Sequence, residues 1–390
     1  MESTRKLLKP ADLPDNFVRA LYKVAPYRGC AHACRYCDGR AERYYFEGDY
    51  EKDIKSRTDI PMRLSDELPS LRERGLIAFG SGTTDPYQPI EAGLQITEQC
   101  SRHIAEAESK LPALVMTKSS LVLRDLENWK RINERSGFVL LVSIMSLDES
   151  LRETMESGAS SFAARLDALA TFKAAGCTVG VLAMPFLPGL SDSEESIRNV
   201  YEASFRIGAD FVMPGGLTLR PGRQKDCYLD TLGRMRPDLL PGLSRDYWPE
   251  RLSGMPNQAA LAALKKRINS VRQDYALPFL LPHKIFARLM PNHDALRVLF
   301  RDMIELYKER GADIGPLFAS AEHYDQWLIG LRRHYRRHRQ LPKDWIEERL
   351  LEAERTGELA SVLGNERLLR FTRAVLIEGA RLNYLSLKLE

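Results

Sequence analysis

Six short apolar runs, rich in β-branched residues, recur through the first 215 residues, and stretches with helical periodicity separate them. The runs lie at 21–24, 76–79, 113–117, 139–144, 178–184 and 210–213. Between them, 92–108, 124–136, 162–175 and 193–207 repeat apolar residues at the spacing that gives a helix one buried face. Strand, helix, strand in this order predicts parallel strands joined by crossover helices. The punctuation agrees. Asp192 and Ser193 precede Glu194 and Glu195, as at a helix start, and Gly176 stands between a helix and a strand, where a left-handed cap belongs. The expected fold is α/β: a partial (β/α)6 TIM-type barrel over 21–230, behind an N-terminal extension over 1–20. Beyond residue 230 the strand signals end. The segment 217–230 reads as a loop leaving the barrel, and helical patterns follow at 257–275, 293–310, 321–339, 344–356 and 366–385. Residues 231–390 are therefore expected to form a helical C-terminal domain.

In such folds ligands sit at the C-terminal ends of the strands. Cys30, Cys34 and Cys37 follow the first strand with C-x3-C-x2-C spacing. Three thiolates in one short loop suit an iron–sulfur cluster or zinc. A structural zinc site is normally closed by four ligands, so zinc needs another donor, for which His32 is near in sequence. A [4Fe–4S] cluster held by three cysteines leaves one iron open to a ligand. After the second core strand, Gly80-Ser81-Gly82-Thr83-Thr84-Asp85 combines small residues, which allow close backbone approach, with hydroxyls and a carboxylate suited to an ammonium group. The same composition serves an ordinary strand-to-helix turn. Lys118 closes the third strand, where it can pair with a carboxylate or reach out to solvent. Ser143 interrupts an apolar strand, and its buried hydroxyl needs a partner, from a ligand or from the backbone.

The cysteine motif, with Tyr36 before its last cysteine, resembles that of the radical S-adenosylmethionine (SAM) superfamily. Over residues 25–215 the chain resembles the spore photoproduct lyase-like branch, often described as DNA repair photolyase-like. That likeness runs through the cysteine motif, the Gly-Ser-Gly-Thr-Thr-Asp loop, Thr117-Lys118-Ser119, Val142-Ser143-Ile144 and the turn from Pro185 to Gly189. The resemblance implies a [4Fe–4S] cluster on Cys30, Cys34 and Cys37, with SAM on the open iron. Reductive cleavage would give a 5′-deoxyadenosyl radical that abstracts hydrogen. Thr84 would bind the SAM amino group, with Ser81 and Asp85 beside it. Lys118 and Ser143 would contact the carboxylate and ribose sides, and Tyr36 would lie beside the adenosyl pocket. A reductant such as flavodoxin or ferredoxin is implied, as is a nucleic-acid substrate. The chain departs from the lyase where hydrogen is returned. Gly82 stands where that enzyme has its donor cysteine, and Asp38 where it has a tyrosine. Neither offers a weak S–H or phenolic O–H bond. The competing readings are a radical SAM modifier of a peptide or small molecule, and a non-catalytic metal module that contacts nucleic acid.

Cys100, Cys177 and Cys227 are scattered and read as small buried hydrophobes, with Cys227 the best placed to act because Arg220, Arg223 and Lys225 surround it in sequence. Six cysteines in 390 residues make no disulfide framework. The chain shows neither a signal-peptide pattern nor the roughly 18 apolar residues of a membrane span, so a cytoplasmic protein is expected, with no membrane partner. A formal charge of +4 says little, but Arg332, Arg333, His334, Tyr335, Arg336, Arg337, His338 and Arg339 form a dense basic run. It could neutralise phosphates or be a solvated helix face balanced by the acidic residues that follow. Arg40, Arg43, Tyr44 and Tyr45 could line a substrate mouth, and Pro282-His283-Lys284 could approach it from the helical region.

Overall fold

The computed structural model describes residues 6–80 and 82–390. Its strands are β1 (Tyr22–Val24), β2 (Tyr27–Arg28), β3 (Lys55–Ser56), β4 (Ile77–Phe79), β5 (Ala113–Thr117), β6 (Phe138–Ser143), β7 (Thr178–Phe186) and β8 (Phe211–Gly216). Six of them form one parallel sheet in the order β1-β4-β5-β6-β7-β8. Spatial order follows chain order without reversal. Crossovers of one hand then put every connecting helix on the same face, which is the construction of an open TIM-type barrel. The connecting helices are Ile60–Glu67, Ile96–Glu106, Leu126–Arg135, Phe162–Ala174 and Glu194–Arg206. The Ser193 hydroxyl caps the last of these, accepting from Ser196 N at 3.1 Å, and Gly176 takes φ +78°.

The strands are apolar on both faces because both faces are covered. Phe138, Leu140 and Val142 of β6 pack with the crossover helices, whereas Val139 and Leu141 pack with the C-terminal helices. Those helices are Asn292–Glu309, Gly315–Arg337, Trp345–Thr356 and Glu366–Leu376, whereas Arg223–Met235 and Gln258–Arg272 share the core of the crossover helices. Leu296 and Phe300 of Asn292–Glu309, with Phe286 and Leu289 ahead of it, share one core with Leu114, Leu182 and Met213 of the sheet. The helical region therefore fills the concave side of the barrel.

Two sequence expectations are corrected. The segment 217–230 is not all loop: the Pro221-Gly222 turn ends at Gly222, with φ +87°, and a helix begins at Arg223. The last helix stops at Leu376, short of 385; Gly379 at φ +73° turns the chain back, and Leu382 pairs with Leu389. The N-terminal segment is a strap between barrel and helices. Leu7 and Leu8 donate their N–H groups to the Glu67 carboxylate, both at 2.8 Å, and Arg19 pairs with buried Asp302. Among the described residues no helix is long and apolar enough to cross a membrane.

Candidate active site

The cysteine loop is held from several sides. The β2–β3 hairpin, too short to show a periodicity in sequence, pins its start, with Tyr27 opposite Ser56. Gly29 follows at φ +83°, and a Cβ there would lie 2.9 Å from the Tyr50 carbonyl oxygen, so the position needs glycine on both counts. Cys30 N donates to that carbonyl at 3.0 Å, Ala31 N to Gln88 Oε1 at 2.8 Å, and Arg35 N to Met155 O at 2.9 Å. Arg40 Nε donates to Cys34 O at 2.9 Å. The loop geometry is thus set by the protein itself.

Cys30, Cys34 and Cys37 line one cavity of about 330 Å³ at the C-terminal ends of the strands, within the roughly 300–1,000 Å³ of ligand clefts. Tyr36, Thr84, Asp85, Lys118 and Ser143 line the same cavity, bringing five of the six expected SAM contacts together; Ser81 lies outside the described residues. Burial, reinforced by neighbouring acidic groups, pushes the Cys30 and Cys34 thiols up from the usual range. Among the described residues, no three His, Cys, Asp or Glu groups converge on a point that would hold a single metal ion. His32, the possible fourth zinc donor, instead faces Asp85, with Nδ1 3.3 Å from Oδ2. Three soft donors spread around a cavity fit a cluster larger than one ion.

The expected SAM contacts divide into occupied and open groups. Asp85 is occupied: Oδ1 accepts from Thr117 Oγ1 at 2.7 Å and Tyr87 N at 2.8 Å, and Oδ2 accepts from Lys118 N at 2.8 Å. Burial would raise its pKa, but the His32 charge and these donors outweigh it and hold the carboxyl below its usual range. Thr84 Oγ1 donates to Gly29 O at 2.8 Å and accepts from Gln88 Nε2 at 3.4 Å, which leaves one lone pair to accept. The Ser143 hydroxyl makes no hydrogen bond among the described residues, although the side chain is only 6% exposed. Strand alternation aims Ser143 to the concave side, into the cavity. The Lys118 ammonium, 5.9 Å from the centre of the Tyr36 ring, has no carboxylate within ion-pair distance among the described residues. Burial would lower its pKa; Glu156 and Cys34 outweigh that and raise it, so Lys118 is a standing cation in the cavity wall.

Sequence reading missed the residues behind this wall. Glu156 accepts from Tyr36 Oη and, at 2.6 Å, from Arg165 Nη2, and both Glu156 and Arg165 are 0% exposed. Arg165 Nη1 continues to Ser143 O at 2.8 Å. One buried ion pair therefore sets Tyr36, the Ser143 backbone and the field at Lys118. Tyr50, in the cavity wall, donates to Thr83 O at 2.6 Å, with its Oη 3.4 Å from Cys37 Sγ. These partners are far apart in sequence, and no local spacing announces them.

Of the other expected residues, Asp38 and Gly82 line the cavity and the rest lie elsewhere. Cys100 and Cys177 are buried among the crossover helices, and Cys227, on Arg223–Met235, does not line the cavity. Arg40 pairs with Glu51 and stands over Tyr50. Asp38 is fixed by Arg220 Nε and Tyr44 Oη, both at 2.6 Å, while Tyr45 is 84% exposed. Arg43 stacks over the Tyr44 ring. Pro282-His283-Lys284 does not reach the cavity; His283 Nδ1 accepts from Leu382 N at 3.0 Å in the opposite core. Two arginines of the basic run are turned inward. Arg332 is buried between Glu73 and Asp294, and Arg336 holds Glu73, Asp12 and the Ala11 carbonyl. Gly82 faces open space, with no atom within 4 Å of a Cβ built there.

Residues 24–200 match the Radical SAM superfamily. Over that stretch, just under half of its length, the chain is similar to that superfamily. Radical SAM superfamily enzymes use a [4Fe–4S] cluster and SAM. An uncharacterised protein of Mycobacterium tuberculosis is 33% identical over 225 residues, covering 56% of this chain and 65% of its own length. One from Methanocaldococcus jannaschii is 27% identical over 191 residues, covering 49% and 68%. The chain thus spans just under two thirds of the mycobacterial relative. Among solved structures, spore photoproduct lyase complexed with dinucleoside spore photoproduct is similar in fold, with TM-score 0.51 and 17% identity over 70% of this chain and 78% of that one.

Proposed function

We propose that this chain is a radical SAM enzyme in which Cys30, Cys34 and Cys37 hold a [4Fe–4S] cluster and the facing wall binds SAM. The observation that carries the reading is the meeting of three thiols, two of them buried, and a lysine cation without an ion-pair partner among the described residues in one cavity. The cluster, once reduced, supplies cleavage of SAM to a 5′-deoxyadenosyl radical and hence hydrogen abstraction from a substrate. Lys118 would hold the SAM carboxylate by charge. The Ser143 hydroxyl, free of protein partners, would donate to the carboxylate or ribose. Thr84 and Ser81 would accept from the amino group. Asp85, saturated by its own neighbours, acts as a positioning residue that ties the Lys118 backbone to His32 of the cysteine loop. Tyr36, fixed by Glu156, would flank the adenosyl group.

We take nucleic acid as the leading substrate class, supported by the likeness in fold to spore photoproduct lyase. The thymine-dimer reaction of that enzyme is not proposed, because Gly82 and Asp38 supply no hydrogen atom. A peptide or small-molecule substrate is the second reading, favoured by the internal use of Arg332 and Arg336. A flavodoxin- or ferredoxin-type reductant and a cytoplasmic setting complete the proposal. The test is anaerobic reconstitution, iron and sulfide analysis with EPR, and 5′-deoxyadenosine formation from SAM and dithionite. About four irons per chain and deoxyadenosine formation, both lost in Cys34→Ala, are expected. Zinc in place of iron, or a reducible cluster that leaves SAM intact, would sink the reading.

A further inference from the structure

The sheet carries a second cleft, of about 540 Å³, at its opposite edge. One wall is formed by residues 71–74, ahead of β4, and 109–111, ahead of β5; the other comes from the C-terminal helices. The cysteine cavity opens at the far ends of the same strands, so the two are separated by the depth of the sheet.

Five cations line this cleft: Arg72, Arg74, Lys110, Arg288 and Lys343. Arg72 is engaged, its guanidinium 4.3 Å from the Tyr335 ring centre and donating to Leu341 O at 2.8 Å. The other four are exposed, and among the described residues their side chains make no ion pair or hydrogen bond. Three carboxylates share the walls. Glu73 is bound by Arg332 and Arg336, and Glu347 by Asn292 and His293, which leaves Asp344 alone against four cations. The Ser109 hydroxyl, also in the wall, is buried without a partner. A merely solvated face interleaves opposite charges. Here cations of one sign are gathered round a concavity, where each pair repels by roughly 0.4 kcal/mol at about 10 Å in water, and a polyanion would relieve that repulsion.

We propose that this cleft binds the phosphate groups of an anionic ligand, at a site remote from the cysteine cavity. Arg74, Lys110, Arg288 and Lys343 supply the charge, and Ser109 supplies a neutral donor. The phosphates could belong to a free polyphosphate or to a nucleic-acid backbone. The inference does not depend on the cofactor reading.

The experiment uses the full chain with its cluster reconstituted. A fluorescein-labelled single-stranded 12-mer is followed by anisotropy, and inorganic pyrophosphate by calorimetry, both in 50 mM salt. Both probes should bind, and the double variant Arg74→Glu/Arg288→Glu should weaken them at least tenfold. Lys266→Glu, an exposed cation outside the cleft, should leave both unchanged. Oligonucleotide binding lost in the double variant without any pyrophosphate binding assigns the cleft to a nucleic-acid backbone; pyrophosphate binding alone assigns it to a free polyphosphate. For the oligonucleotide, the salt slope should also fall by about 1.4, the share of two phosphate contacts on a single strand. No binding of either probe, or equal weakening by Lys266→Glu, overturns the proposal. Urea midpoints matching the parent exclude misfolding of the variants. SAM cleavage should be the same in all of them, so this test and that of the cofactor reading fail separately.

Discussion

Replacing Glu156 with Gln keeps the shape of the side chain and removes its charge, at the point where the cavity wall depends on it most. Arg165 would then retain only the Ser143 and Ser160 carbonyls, at 2.8 and 2.9 Å, as partners for a guanidinium with no exposure. Lys118 would lose the acidic neighbour that keeps it charged. Stranding one member of a buried pair costs roughly 3–5 kcal/mol. Because Gln still accepts one hydrogen bond, the loss should sit near the lower end, about 3 kcal/mol. The assay is urea unfolding of the cluster-free chain, with the slope checked for constancy so that a shifted midpoint reports stability. Arg165→Met alone should cost a similar amount. The double variant Glu156→Leu/Arg165→Met should cost less than the sum, since neither charge is stranded. On the reconstituted chain, Glu156→Gln should also weaken SAM binding about tenfold, equivalent to roughly 1.4 kcal/mol. A Glu156→Gln midpoint at the parental urea concentration, or strictly additive single and double costs, would refute the reasoning.

Three further outcomes follow from geometry. His283 is fully buried with its pKa lowered to about 3, burial being the main cause and Arg381 the second. The unfolded chain takes up that proton first, so its contribution to stability is complete above pH 6.5 and should decline as pH falls toward 3, by roughly 1 kcal/mol per pH unit; in His283→Asn the slope between pH 6.5 and 5 should flatten. In Gly158→Ala the new Cβ would meet Ala31 O at 2.1 Å, with backbone on both sides, so iron retained after anaerobic reconstitution should fall severalfold while circular dichroism stays near the parent's. Arg332→Met should lower stability by about 3 kcal/mol or more through the stranded Asp294 and Glu73, whereas Arg333→Glu on the exposed face should stay within about 0.5 kcal/mol.

The barrel was legible because its strands are buried on both faces and stand out as unbroken apolar runs. The cysteine loop was legible because its three thiols share one short segment. What escaped was whatever depends on distant partners. Glu156 and Arg165 look like ordinary helix-end charges until the fold brings Tyr36 and Ser143 to them. The basic run was read by composition, but one helical turn separates Arg332 from Arg336, so both share a face, and that face turned inward toward the strap. Asp85 was expected beside the SAM amino group, yet the bonds that saturate it come from Thr117, Lys118 and Tyr87, which a sequence does not place around it. The β2–β3 pair, two residues on each side, is too short to carry any pattern.

The strap also sets an order of events during synthesis. Phe17 forms part of the cavity wall, and its segment is tied down by Asp302 and by Arg332, which binds the Asp12 carbonyl at 3.1 Å. The ribosome delivers the three thiols long before either anchor. At roughly 5–20 residues per second, some 10–50 s pass between Cys37 and Asp302. Through that interval the cysteine loop stands beside a wall that has nothing to hold it shut. Completion of the C-terminal helices is what fixes Phe17 in the cavity wall.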